Sequence, residues 1–254
     1  MSETRPLSTP SVVCRLGLAL LVATAVAPVF VLCALLCLPF RGVRIRLGNV
    51  YAKIVGYSLA WILGIRWTLI HGERLGAQPA IYICNHTSTA DFFFGSALCP
   101  MGGCGVAKKE IVRIPVAGQM YWLTGHLRID RGNPKRARAS LKELAAVVKR
   151  HGLSVWMWPE GTRSRDGRLL PFKRGIVHIA CATGLPIVPI VIRGMYRRWE
   201  PGGFTIRPGA IEVEVFPPID TSEWRANASR QHAAALRQVF IDALPEDQQP
   251  LDET

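Results

Sequence analysis

From Leu16 to Phe40 the chain reads "LGLALLVATAVAPVFVLCALLCLPF", apolar throughout and without a charge. A helix of that length reaches roughly 36 Å, enough to cross the ~30 Å hydrocarbon core of a bilayer. Behind it, in "LGNVYAKIVGYSLAWILGI", Leu47, Val50, Tyr51, Ile54, Tyr57, Trp61, Ile62 and Ile65 recur at helical spacing. An interfacial helix with its aromatics at the membrane surface reads this way, and so does a core helix of the following domain. After Trp67 the pattern changes to short β-like runs alternating with helical stretches. "AIYIC" (80–84), "SVWMW" (154–158), "PIVPIVI" (186–192) and "IEVEVF" (211–216) predict strands, and "DFFFGSAL" opens a helix. Lys135 to Arg150 predicts another, ended by Gly152. A last long helix is expected from Asp220, with Glu223 in the capping-box position, to about Leu244.

The alternation describes one α/β domain behind a membrane-bound N-terminus. The expected divisions are a flank over 1–15, a membrane-anchoring helical segment over 16–65, a domain over 66–244 and an acidic, frayed tail over 245–254. "AVA" at Ala25 to Ala27 imitates a signal-peptide cleavage site, but the apolar run continues past it and Pro28 would follow the cut, so retention in the membrane is the better reading. A hairpin in one leaflet, bent at Pro28, is the alternative to a full span. Arg41, Arg44, Arg46 and Lys53 follow the apolar run closely, which places the C-terminal bulk on the cytoplasmic side.

Composition sharpens this picture in one respect. The 254 residues carry 31 Lys+Arg against 18 Asp+Glu, a net charge of +13, so an anionic partner is expected. Membrane phospholipid supplies one, and no nucleic-acid module is evident. The seven cysteines include no CxxC pair and are odd in number, which argues against a disulfide framework or a structural zinc site.

Candidate chemistry begins in "CNHTSTADFFFG", where His86 stands five residues ahead of Asp91. On a continuous helix residues five apart differ by ~140° and do not face one another, so the pair meets only if the chain turns between them. A strand ending at Cys84, turn formers at Thr87 and Ser88 and a helix resuming near Ala90 allow that turn. Asp91 would then orient one imidazole nitrogen and leave the other basic, the orienting half of a catalytic triad without a protein nucleophile. Taken alone, a helix-capping aspartate beside a core or surface histidine accounts for the pair as well.

Other blocks shift the balance. "WPEGTRSRDG" follows the strand "SVWMW" directly, so Glu160, Gly161 and Thr162 fall at a strand's C-terminal end, where α/β proteins commonly bind ligands. Gly161 lets backbone N–H groups approach a ligand, and Arg163 can grip a phosphate in bidentate fashion. "GHLRIDRG" sets Arg131 in a loop, and "AKKE" adds Lys108 and Lys109; the further basic residues of 136–150 read as a solvated face.

In this order the blocks resemble the glycerophospholipid acyltransferase family, in particular its 1-acylglycerol-3-phosphate acyltransferases. Asn85, His86, Ser88 and Asp91 meet an N-H-x-S-x-x-D motif; Gly125, Ile129, Asp130 and Arg131 a G-x-x-F-I-D-R motif; Pro159 to Ser164 an F-P-E-G-T-R-S motif; and Pro186 to Pro189 a proline-punctuated strand. The resemblance covers roughly Gly72 to Pro218, and two positions depart from it: Arg128 stands where an aromatic is usual, and Trp158 replaces a phenylalanine. It implies a mixed β-sheet flanked by helices. It also implies transfer of a fatty acyl group from acyl-CoA or acyl carrier protein to the free hydroxyl of 1-acyl-sn-glycerol-3-phosphate, giving phosphatidic acid, with no cofactor and no metal. In that reading His86 is the general base and Asp91 fixes its tautomer. Arg131 and Arg163, helped by Lys108, hold the acceptor's phosphate, and Glu160 and Gly161, with Thr162 beside them, shape the substrate pocket. Rival expectations are another acceptor (glycerol-3-phosphate, a lyso-ornithine lipid, or a lysophospholipid in transacylation) and a non-catalytic adaptor for anionic lipid. A serine hydrolase is disfavoured because no G-x-S-x-G elbow is present.

Overall fold

The structure, a computed structural model, describes residues 4–113, 117–129 and 134–251. Two helices come first, α1 (Thr9–Leu36) and α2 (Arg41–Leu63). Helix α1 passes through Pro28 without a break, and the reversal lies at 37–40, where the N–H of Phe40 donates to the carbonyl of Cys37 at 2.9 Å. The alternative of a hairpin bent at Pro28 is therefore not what the chain forms: the turn comes after the helix. Phe30 stacks on Tyr51 with ring centroids 4.9 Å apart, the Tyr51 hydroxyl donates to the carbonyl of Ala23 at 3.2 Å, and the Arg15 guanidinium donates to the carbonyl of Ile62. With 28 residues α1 is long and apolar enough to cross a membrane, and Leu20, Leu21, Val29, Leu32 and Leu36 point outward from it.

The second helix has one face buried in the protein and one exposed. Ile45, Gly56, Leu59 and Leu63 are buried against the domain, whereas Val50, Ile54 and Tyr57 are exposed and Trp61 is 81% exposed. The arginines at its start contact the domain directly. Arg41 Nε donates to the carbonyl of Gly125 at 2.8 Å, Arg44 Nη1 to that of Leu123 at 2.6 Å, and Arg46 Nη2 to that of His151 at 3.3 Å. They satisfy carbonyls at turns and helix ends and so fix the hairpin to the domain.

Beyond the hairpin come β1 (Ile65–Ile70), β2 (Ile81–Cys84), α3 (Asp91–Leu98), β3 (Gly103–Lys108), α4 (Ala117–Leu123), β4 (Leu127–Ile129), α5 (Pro134–His151) and β5 (Ser154–Met157). The chain ends with α6 (Gly175–Thr183), β6 (Ile187–Arg193), β7 (Gly209–Val215) and α7 (Ser229–Ala243). The sheet order is β1-β7-β6-β2-β5-β3-β4. Strands β6, β2, β5, β3 and β4 are mutually parallel, β7 runs antiparallel to β6, and β1 is parallel to β7. The sheet is thus mixed, with helices on both sides.

Alternation along the strands divides the core in two. Ile81, Ile83, Val155 and Met157 face one cluster with Leu144 of α5, Ile176 of α6 and Phe240 of α7. Tyr82, Cys84, Trp156 and Ile190 face the other, with Phe94 of α3 and Leu59 and Leu63 of α2. Central strands buried on both faces are what covered parallel sheets require.

Two sequence expectations give way here. Helix α7 begins at Ser229, not Asp220, because the Asp220 carboxylate turns onto Ser222 instead, accepting its N–H at 3.0 Å and its hydroxyl at 2.7 Å. Of the tail expected to fray, residues 245–249 are docked: Glu246–Gln248 form a 3-10 turn, and Gln248 is buried.

Candidate active site

Strands β2 and β5 are parallel neighbours, so the segments leaving their C-terminal ends emerge side by side. The first, residues 85–90, is held at both ends. One residue past β2, the Asn85 amide donates to the carbonyl of Ile192 at 2.8 Å, and its Oδ1 accepts the N–H of Ile192 at 2.8 Å. The side chain thereby imitates one more rung of strand pairing with β6. At the other end the Ser88 hydroxyl donates to the carbonyl of Trp199 at 2.6 Å and accepts the N–H of Ala90 at 3.1 Å.

That anchoring turns the chain between His86 and Asp91. Asp91 Oδ2 lies 3.0 Å from His86 Nδ1 and accepts the backbone N–H groups of Thr87 at 2.5 Å and Ser88 at 2.7 Å. An oxygen that already draws in two N–H donors is an acceptor toward the ring, so Nδ1 is the donor of this contact and Nε2 is the nitrogen turned away from Asp91. Asp91 is 1% exposed and the imidazole 19%, so the carboxylate is sealed while the ring reaches the surface.

The second segment closes around the same histidine. The indole of Trp158 stacks on the imidazole at a centroid distance of 4.9 Å, and exposed Phe92 lies 6.4 Å from that indole. Glu160 Oε1 accepts the N–H of His86 at 2.6 Å, and Oε2 accepts that of Leu170 at 2.9 Å. The carbonyl of His86 accepts the N–H of Ser164 at 2.9 Å. Burial pushes the Glu160 carboxyl up to about 8, against the pull of its two amide donors. Gly161 sits at φ 70°, a left-handed conformation that favours glycine, and its N–H turns back to the carbonyl of Trp158 at 3.1 Å.

A two-part motif at the ends of β2 and β5, a paired imidazole and carboxylate on one side and a Pro-Glu-Gly-Thr-Arg turn on the other, calls for comparison with known proteins. The model of the acyltransferase family matches residues 68–193. The 1-acyl-sn-glycerol-3-phosphate acyltransferase of Limnanthes douglasii is 45% identical over 236 residues, covering 93% of this chain and 83% of that protein. The chain belongs to this family. It is an O-acyltransferase, and its place is in phospholipid synthesis. The enzyme of the same name from Escherichia coli K12 is 38% identical over 167 residues, 66% of this chain and 67% of its own length. A crystal structure of the 1-acyl-sn-glycerophosphate (LPA) acyltransferase from Thermotoga maritima superposes with a TM-score of 0.67, covering 92% of this chain and 98% of that one. At 22% identity that likeness speaks for the shared fold.

Against this frame the anticipated residues of the acyltransferase separate into three groups. His86 and Asp91 meet, and Gly161, exposed Thr162 and half-buried Arg163 stand beside them on the β5 turn. Arg163 has no hydrogen bond or ion pair to the described residues, and it directly precedes Ser164, which donates to the His86 carbonyl. Glu160 is 0% exposed, with both oxygens committed to backbone amides, so it braces the turn from within. Lys108 ends β3, whose C-terminal end shares the sheet edge of β2 and β5, but its side chain lies outside the described residues. Arg131, two residues beyond β4, lies outside them altogether.

Trp158 is a contact the sequence concealed. Its block marks it only as a replacement for phenylalanine, and the placement of β5 beside β2 turns it onto the histidine. Arg128 is exposed on β4, at a groove of about 430 Å³ lined by Leu35 of α1 and Trp122 and Leu123 of α4.

Proposed function

We propose that this acyltransferase moves a fatty acyl group from a thioester, acyl-CoA or acyl carrier protein, to the free hydroxyl of 1-acyl-sn-glycerol-3-phosphate, forming phosphatidic acid. The observation that carries the reading is the 3.0 Å contact between His86 Nδ1 and a carboxylate oxygen already engaged by two backbone amides, which leaves Nε2 as the base. Nε2 takes the hydroxyl proton as the oxygen attacks the thioester carbonyl carbon. The C–S bond then breaks, and the departing sulfur regains the proton from the imidazolium. No acyl-enzyme is needed. Catalysis of this kind typically contributes about 10²–10⁴-fold.

Arg163, unpaired among the described residues and one residue from a His86 backbone contact, supports a phosphate-holding role. Arg131 and Lys108 are assigned to the same role from the motif resemblance alone. The amides of Thr162 and Arg163 donate to no described acceptor, which suits them to the tetrahedral oxyanion. The apolar helix α1 and the outward Tyr57 and Trp61 of α2 support membrane residence, where acceptor and product both dissolve. A catalytic domain on the cytoplasmic side accords with the cationic residues that follow α1.

The test is purified enzyme in phospholipid vesicles, given labelled acyl-CoA or acyl carrier protein with a panel of acceptors. The panel holds 1-acyl-sn-glycerol-3-phosphate, glycerol-3-phosphate, lyso-ornithine lipid and neutral lysophospholipids. Phosphatidic acid as the main product supports the proposal. A preference for any other acceptor, or lipid binding without turnover, overturns it.

A further inference from the structure

Residues 160–170 touch His86 twice, through the Glu160 carboxyl and the Ser164 amide, so anything that fixes this segment also fixes the imidazole. Its far end is not held by the sheet. Leu170 donates its N–H to Glu160 Oε2 at 2.9 Å, while the preceding N–H, that of Leu169, points the other way and donates to the carbonyl of Gln248 at 2.9 Å. Arg168 Nη1 donates to the carbonyl of Gln249 at 2.8 Å and to that of Glu246 at 3.3 Å. Three consecutive residues of the active-site segment are thus clasped between the buried carboxyl on one side and the chain terminus on the other.

The C-terminal segment 247–249 is itself pinned. Gln248, 3% exposed, accepts the N–H of Gly194 on its Oε1 at 3.3 Å, just past the end of β6. Arg197 pairs with Asp247 at 2.5 Å, and Gln249 Nε2 donates to the carbonyl of Leu244 at 2.8 Å. A polar tail with so few apolar side chains gains little by burial alone. Its order comes from these backbone carbonyls and one buried amide.

We infer that Gln248 is a positioning residue for acyl transfer: its buried side-chain amide, seated on the Gly194 N–H, places its backbone carbonyl to hold Leu169, whose neighbour Leu170 holds Glu160, whose other oxygen holds the backbone of His86. Gln248 touches no reacting atom. Its effect reaches the chemistry only through that sequence of hydrogen bonds, and the inference rests on His86 being the base.

Two measurements on the full-length enzyme in vesicles, and on a chain ending at Pro245, test this. The first is hydrogen–deuterium exchange at the amides of His86 and Leu170. Loss of the tail raises exchange at both by at least tenfold while the amides of β2 and β5 are unchanged. Unaltered protection at His86 overturns the inference, and this readout does not depend on which residue is the base.

The second is a double-mutant cycle in kcat with Gln248→Ala and Glu160→Gln, each rate normalised to folded protein. Misplacement of a catalytic group by about 1 Å can cost roughly 10²-fold. Gln248→Ala is therefore expected to lower kcat by roughly tenfold or more, with KM for the acceptor within about twofold, in the wild-type background. In the Glu160→Gln background, where the relay is already cut, the same substitution changes kcat by less than about twofold. Losses that multiply independently overturn the relay. If exchange responds while His86→Ala keeps near-normal activity, the relay stands as structure and the assignment of the base is what has failed.

Discussion

Glu160 Oε1 lies 2.6 Å from the backbone nitrogen of His86, a direct bond between two motif blocks 74 residues apart in the chain. The carboxyl reaches the histidine's main chain, not its ring, and is wholly buried in doing so. Its oxygens meet only N–H donors, so a glutamine in its place would turn an NH₂ toward one of them. Glu160→Gln should lower kcat by roughly 10–100-fold through the misplaced imidazole, with acceptor KM little changed. Steady-state kinetics of folded, membrane-bound enzyme checks this; an unchanged kcat refutes it.

Buried titratable groups make stability depend on pH in two opposing ways. Burial raises Glu160 from 4.5 to about 8, so the folded state holds a proton that the unfolded chain releases; its contribution is complete below 4.5 and is lost as pH rises toward 8. Burial and nearby Arg41 lower His126 from 6.5 to about 4, where its Nδ1 accepts the N–H of Gly105; its contribution is complete above 6.5 and is lost as pH falls toward 4. The two slopes oppose one another between 4.5 and 6.5, and only the fall due to Glu160 persists from 6.5 to 8. Thermal unfolding across that range should show a plateau, then a decline. Glu160→Gln should remove the decline and leave a rise from 4 to 6.5.

Asp91→Asn tests the tautomer. Asparagine still fills the site, but its NH₂ or its weaker acceptor must face three N–H donors now gathered on one carboxylate oxygen. The ring is then free to place its proton on Nε2, where a base needs a lone pair. We expect kcat to fall by about 10²–10⁴-fold, approaching the loss in His86→Ala. A variant within tenfold of wild type would mean that Asp91 only caps the loop.

The parts of this architecture visible in the sequence are those whose side chains declare their surroundings. Ile81–Cys84, Ser154–Met157 and Ile187–Arg193 are dense apolar runs because both faces of a central parallel strand are covered. Gly103–Lys108 and Leu127–Ile129 escaped because glycines and a three-residue length give no periodicity; they are strands only through their pairing partners. Ile65–Ile70 was hidden by its direct continuation from α2. At the site, turn formers and spacing allowed the imidazole and carboxylate to meet, and only the other motif blocks favoured that reading over a capping aspartate. The stacking of Trp158 and the hold of Gln248 could not, since each joins segments far apart in the chain through ring faces or backbone carbonyls that any residue type supplies.

Arg163→Ala should separate binding from chemistry. A guanidinium with no described protein partner can spend its donors on a phosphate. Losing such a charge-assisted contact costs about 1.5–3 kcal/mol, roughly 10- to 100-fold in acceptor KM. The donor KM and kcat should change little, and Arg163→Lys should recover only part, because an ammonium lacks the bidentate fork. A fall in kcat at constant KM would move Arg163 from the acceptor to the transition state.

Gly56→Val probes how the N-terminal hairpin supports the site. A Cβ at Gly56 would stand 2.6 Å from the Cβ of Ala97 and 2.6 Å from the carbonyl oxygen of Phe93, so α2 and α3 touch where neither can yield without a shift of backbone. Helix α3 begins at Asp91, and pushing it outward draws the carboxylate away from His86. Overpacking of this kind typically costs about 1–3 kcal/mol. The folded fraction of the variant should therefore transfer acyl groups more slowly, with a lower unfolding temperature, even though no residue of the site has changed. A second substitution on the outer face of the same helix, Ile54→Ala, provides the control. Ile54 is exposed and meets lipid at most, so its loss should weaken vesicle binding without altering kcat of the bound enzyme. If both variants behave alike, the hairpin serves as an anchor only, and the close contact at Gly56 has no bearing on catalysis.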